Sequence, residues 1–217
     1  GRRSPEAAAA IFSPLFAGRT CDSCVPVGTR VVRAAEHPLR TCEETLDVLQ
    51  GKLVLGLRTG ITSSDPDFPA LTLLNTVLGA GMTSKLFVNV REKRSLCYYA
   101  SSSIEKYKGI MLISSGISVE RRQEAQDAIL AEIDACRGGE ITESELESAR
   151  RQLLSALRAS MDAPAQLDDF YLGLALSDGD DIPALMEKLA ALTAEDVAAA
   201  ARKLTLDTVY FLKGEEQ

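Results

Sequence analysis

Two apolar segments, Leu96–Ser103 and Gly109–Ile117, are joined at Lys106-Tyr107-Lys108-Gly109. A connection this short leaves no room for a crossover, so it predicts an antiparallel hairpin. A third segment, Lys52–Gly60, alternates Leu53, Leu55 and Leu57 with Val54, Gly56 and Arg58. That is the period of a strand with one buried face.

The rest reads mainly as helix. Thr62-Ser63-Ser64-Asp65-Pro66 predicts a turn and a helix start. A helix is expected over about Asp67–Leu78, with Leu71, Leu74 and Leu78 on one face. Gly79-Ala80-Gly81 should stop it, because Gly readily takes the left-handed conformation at a helix end. Thr83 or Ser84 then caps a second helix through about Lys93. Glu120–Arg137 places Ala125, Ile129, Ile133 and Cys136 on one face and ends at Gly138-Gly139. Thr142-Glu143-Ser144-Glu145 is a capping box ahead of Leu146, Leu153 and Leu157. Pro164 breaks the pattern. Helices near Gln166–Leu176 and Ile182–Leu192 follow, then a cap at Thr193-Ala194-Glu195-Asp196 and a helix to Lys203. Val209–Leu212 reads as a closing strand. The first 49 residues are poorly defined: an Ala-rich helix over 5–16 and a weak strand at Thr29–Arg33. The expectation is α+β, an antiparallel sheet with helices packed mainly on one face, in a single domain over 1–217.

Composition narrows function by exclusion. The net charge of −7 argues against nucleic acid as a partner. No apolar run approaches the roughly 20 residues that span a bilayer, so no membrane association is expected. The chain opens on Gly rather than Met, which points to a processed or excised chain that something preceded. Five cysteines without regular spacing suit a reducing compartment, hence a cytoplasmic location. Cys21-Asp22-Ser23-Cys24 has no second ligand pair and reads as two cysteines in an irregular segment. His37 is the only histidine and reads as a surface loop residue. Neither H-E-x-x-H nor H-x-x-E-H can be built from one His. No residue set activates water, so the chain alone is expected to hold no stoichiometric zinc and to cleave no peptide.

The most informative stretch runs from Leu78 through Arg91 to Tyr98 and Tyr99. Arg91 falls near the end of the second helix and Tyr98 early in the next strand. A turn between them can bring both side chains to one rim. A guanidinium and a phenol there would suit a carbonyl oxygen that gains negative charge. The plainer alternative stands beside it: Arg91 answers the helix dipole and Glu92, and Tyr98 is an ordinary strand aromatic.

Leu78-Gly79-Ala80-Gly81, Ser84-Lys85-Leu86-Phe87, Arg91-Glu92-Lys93-Arg94 and Leu96-Cys97-Tyr98 together resemble the second-half signature of the pitrilysin or insulinase family, which includes the mitochondrial processing peptidases. Gln50–Thr59 resembles the opening strand of such a half. The likeness is specific from about Gln50 to Ile117 and closest to bacterial members without the zinc motif. It implies a LuxS/processing-peptidase-like metallohydrolase fold. It also implies that this chain carries no cofactor, with zinc in a homologous partner half that bears H-x-x-E-H. The Arg-x6-Tyr spacing of the family falls on Arg91 and Tyr98, which would hold a peptide carbonyl across the chamber between two dimer-like halves. Tyr99 would leave the opposite sheet face. The implied function is the non-zinc half of a metallopeptidase. An inactive interaction or peptide-holding module on the same fold is the alternative.

Overall fold

The computed structural model describes residues 3–18, 31, 33–34, 37–175, 177 and 179–214. Cys21, Cys24 and most of the expected strand at Thr29–Arg33 lie outside them. The elements run α1 (Pro5–Phe16), β1 (Arg40–Leu46), β2 (Gly51–Arg58), α2 (Phe68–Leu78), a π-helix (Leu86–Lys93), β3 (Cys97–Glu105) and β4 (Ile110–Ile117). A 3₁₀ turn (Val119–Arg121) leads into α3 (Arg122–Arg137), α4 (Glu143–Met161), α5 (Pro164–Ala175), α6 (Ile182–Ala191), α7 (Ala194–Arg202) and β5 (Thr205–Gly214).

The five strands form one sheet in the order β1-β5-β2-β4-β3. The β3–β4 hairpin, the β2–β4 pair and the β2–β5 pair are all antiparallel. Leu53, Leu55 and Leu57 are at most 1% exposed and meet Met111 and Ile113 of β4 and Val209 and Phe211 of β5 in one core. The intervening residues of β2 stay partly or fully exposed. The alternation therefore selects one face for the helices, as expected.

Helix α2 lies against β3 and against helices α3, α4, α6 and α7. This explains why it carries so little polar surface: Leu71, Leu73, Leu74, Val77 and Leu78 are all buried, and a helix apolar nearly all round needs neighbours on every side. Both expected capping boxes form. Thr142 and Glu145 open α4, and Thr193 and Asp196 open α7.

Three features depart from the sequence reading. The edge strand β1 is absent from it, and β1 runs parallel to β5 in an otherwise antiparallel sheet. Every β1 residue is exposed, so no apolar period marks it. Gly79 ends α2 without the left-handed conformation, at φ −154°. Its role is close approach instead. A Cβ there would sit 2.6 Å from the Ser102 backbone nitrogen, which donates to the Gly79 carbonyl at 3.2 Å. Finally, the second helix is a π-helix beginning at Leu86. Lys85 rather than Thr83 or Ser84 stands at its N-cap, with no side-chain cap; Ser84, one residue earlier, accepts from Phe87 N at 3.4 Å.

The turn before α2 is held by Asp65. Its Oδ2 accepts from Thr62 N (2.8 Å), Thr62 Oγ1 (2.6 Å) and Arg33 Nη1 (2.9 Å). Partial burial pushes this carboxyl up, but the bonds from Arg33 and Thr62 outweigh it and hold it down at about 2. A depressed carboxyl contributes stability that is present above its unfolded pKa and lost as pH falls through the folded one. Wild-type stability should therefore fall between pH 3.8 and about 2. Asp65→Asn, which keeps the acceptor and loses the charge, should flatten that fall by about 1–2 kcal/mol, discounted because Arg33 is half exposed. Urea unfolding at several pH values measures this, and identical acid slopes for the two proteins would refute it.

Candidate functional site

The π-helix, the turn after it and the start of β3 carry the residues singled out by the sequence. A π-helix is wider than an α-helix, rare, and frequently found at functional sites. Here the backbone after it closes through Leu96 N to Val90 O at 3.1 Å. Ser95 follows at φ 49°, the one left-handed non-glycine among the described residues. A β-bulge then interrupts the β3–β4 register between Cys97 and Tyr99. The end of the π-helix, the left-handed Ser95 and the bulge thus follow one another within the stretch from Arg91 to Tyr99.

Their effect is to place both side chains on one open recess of about 520 Å³. Its lining includes Arg91, Ser95, Cys97, Tyr98, Ser118 and Arg121. Tyr98 is 70% exposed, so it is no core aromatic. The bulge leaves it outside the paired register, and its hydroxyl makes no hydrogen bond among the described residues. Arg91 stacks its guanidinium over the Phe87 ring, 4.6 Å from the centroid, a favourable cation–π geometry. Its Nε lies 3.6 Å from Glu92 Oε1, a loose ion pair that leaves the guanidinium nitrogens available as donors. Burial pushes the Cys97 thiol up, and the nearby charge of Arg91 partly offsets it.

Tyr99 is not part of the recess lining. Its ring lies against Gly116, where a Cβ would come within 2.6 Å of it.

Arg121 is the site residue that the sequence did not indicate. Its Nε and Nη2 each donate to the Glu124 carboxylate at 3.1 Å, and its Nη1 donates to the Ser95 carbonyl at 2.9 Å. The Arg121–Glu124 pair is an ordinary i,i+3 helix pattern, but nothing in the sequence ties it to a residue 26 positions earlier.

The described residues do not fit a catalytic zinc. Among the described residues, no three His, Cys, Asp or Glu side chains group to hold a metal. His37 lies apart, with Nδ1 3.3 Å from the Pro38 carbonyl.

Comparison with known proteins bears on the family and the fold. A model of the peptidase M16 inactive domain matches residues 17–153. A protein named a probable inactive metalloprotease in Bacillus subtilis (strain 168) is 38% identical over 171 residues, covering 78% of this chain and 40% of that protein. An uncharacterized zinc protease of Streptomyces coelicolor is 28% identical over 179 residues, 81% of this chain and 38% of that one. The chain thus spans less than half the length of these relatives. Among solved structures, a conserved protein from Enterococcus faecalis V583 aligns with a TM-score of 0.75 at 33% identity, over 87% of this chain and 44% of that one. A peptidase M16 inactive domain from Pseudomonas fluorescens aligns with a TM-score of 0.75 over 99% of this chain and 52% of that one, and at 20% identity it supports the fold alone. On the family match and the agreement in fold, this chain belongs to the peptidase M16 inactive domain family, the pitrilysin-type group indicated by its sequence.

Proposed function

We propose that this chain is the substrate-facing, zinc-free half of a pitrilysin-type metallopeptidase, and that Arg91 and Tyr98 hold the carbonyl oxygen of a bound peptide. The supporting observation is the shared recess: two donors of the right chemistry face one open surface, and neither is consumed by a strong internal partner. Donors fixed before the reaction stabilise an oxyanion without reorganising at the moment it forms. The guanidinium supplies fixed charge and the phenol a directed O–H. Metal chemistry belongs to a homologous half with its own ligand set, and the substrate is a peptide.

The competing reading is a non-catalytic, peptide-holding module. It draws on the word inactive in the name of the Bacillus subtilis relative. One experiment separates the two. The chain is mixed with a zinc-bearing homologous half, and cleavage of a quenched fluorescent peptide is followed with and without chelator. The proposal expects no cleavage by this chain alone and chelator-sensitive cleavage that rises with this chain up to an equimolar mixture. Cleavage by the zinc-bearing half that is indifferent to this chain would favour the holding module.

A further inference from the structure

The segment between Arg91 and Tyr98 is held from outside itself. A left-handed Ser95 costs energy that a non-glycine residue does not recover locally. Such a turn persists when its surroundings over-determine it. Here the Ser95 carbonyl receives a charged donor, Arg121 Nη1, at 2.9 Å. The other face of the same guanidinium is forked onto Glu124, through Nε and Nη2 at 3.1 Å each. A bidentate carboxylate fixes the plane of a guanidinium and not merely its position. Arg121 belongs to the 3₁₀ turn after β4 and Glu124 to the first turn of α3. The turn between the two candidate donors is therefore tied to the start of α3.

Arg121 also lines the recess, which invites a second reading as another substrate-binding cation. Its hydrogen bonds argue against that. Each of its three guanidinium nitrogens already has a protein acceptor, so Glu124 and Ser95 fix its orientation and only the second N–H of Nη1 and of Nη2 is left for a substrate oxygen.

We infer that Arg121, oriented by Glu124, is a positioning residue that clasps the Ser95 turn and so sets the geometry between Arg91 and Tyr98. The catalytic part of this inference rests on the function proposed above; the clasp itself does not.

Two readouts keep them apart. The first is hydrogen exchange on the intact chain, over a peptide covering residues 93–99. Removing a charged hydrogen bond with Arg121→Ala should speed exchange there ~10-fold, with β2 and β4 unchanged. Arg121→Lys, which still offers a donor to the Ser95 carbonyl, should restore part of the protection. Glu124→Gln should give an intermediate effect. The second readout is turnover with the zinc-bearing half. Arg121→Ala should lower kcat ~10-fold with KM unchanged, since both donors remain but the turn between them is loosened. In an Arg91→Ala/Tyr98→Phe background the same change should cost nothing further. Wild-type exchange over 93–99 in Arg121→Ala would overturn the clasp. Faster exchange with unchanged kcat would establish the clasp and overturn the claim that it sets the geometry of the pair, while the catalytic reading of the pair itself fails only if Arg91→Ala and Tyr98→Phe leave kcat unchanged. A kcat loss that persists in the double-variant background would overturn the claim that Arg121 acts through that pair.

Discussion

Arg91→Ala and Tyr98→Phe should each lower the kcat of the assembled two-half enzyme by ~10²–10³-fold, the usual cost of losing one oxyanion donor. KM should change little, because the donors act on charge that develops in the transition state. Neither change should unfold the chain. Tyr98 is exposed, and Arg91 contributes only a loose pair with Glu92 and a stacking contact with Phe87. Arg91→Lys is expected to recover little, since an ammonium does not reproduce the planar fork. Tyr99→Phe is the control, because its ring lies against Gly116 outside the recess. Steady-state kinetics with one peptide substrate measures all four variants. A Tyr98→Phe enzyme that turned over like wild type would leave the pair without a catalytic role.

The largest stability effect is expected at Lys85, inside the Ser84-Lys85-Leu86-Phe87 element that carried part of the family resemblance. Its side chain is 7% exposed, and its Nζ lies 2.9 Å from Glu145 Oε1. The other oxygen of Glu145 accepts from Thr142 N at 2.8 Å and Thr142 Oγ1 at 2.9 Å. One carboxylate thus closes the first turn of α4 and anchors the residue that leads into the π-helix. Burial pushes the Glu145 carboxyl up, and the bonds from Lys85 and Thr142 outweigh that and hold it below the usual range. Lys85→Met should cost about 3 kcal/mol, because it leaves a half-buried charge without its counterion. Lys85→Met/Glu145→Gln should recover much of that loss. The folded Glu145 is depressed, so its contribution is present above the ordinary carboxylate range and lost as pH falls through the folded value. The penalty of Lys85→Met should accordingly shrink on acidification. Denaturant unfolding at neutral pH and near pH 4 measures both effects, and a neutral-pH loss under about 1 kcal/mol would contradict the account. The neighbouring Cys136 offers an independent sign of a dry environment. Burial, outweighing the charge of Lys85, pushes its thiol up to about 12, so it should resist alkylation in the native state.

What was legible in the sequence followed from burial. The leucines of β2 alternate because one face is covered, and α3 shows its stripe because Ala125, Ile129, Ile133 and Cys136 meet the core. The capping boxes were legible because Thr142 with Glu145, and Thr193 with Asp196, act within one turn. β1 was not, because Arg40–Leu46 buries no residue and owes its strand form to backbone pairing with β5. The π-helix was not, because its apolar residues do not distinguish the wider hydrogen-bond register from an α-helix. At the site, residue types and the spacing of Arg91 and Tyr98 were readable. The left-handed Ser95, the bulge before Tyr99 and the Arg121 clasp were not. The Ser95 turn and the clasp involve a contact with Arg121, 26 positions away, and the bulge is a matter of pairing between β3 and β4.

Which state of the substrate Arg91 and Tyr98 recognise can be measured without relying on turnover alone. A phosphinic pseudopeptide, whose tetrahedral centre carries an anionic oxygen where the peptide has its carbonyl, should bind the assembled wild-type enzyme far more tightly than the parent peptide. Tyr98→Phe and Arg91→Ala should weaken inhibition by this compound by the same factor that each lowers kcat/KM, while affinity for the uncleaved peptide stays at the wild-type value. Equal inhibition of wild type and both variants would show that the two side chains do not hold the oxyanion.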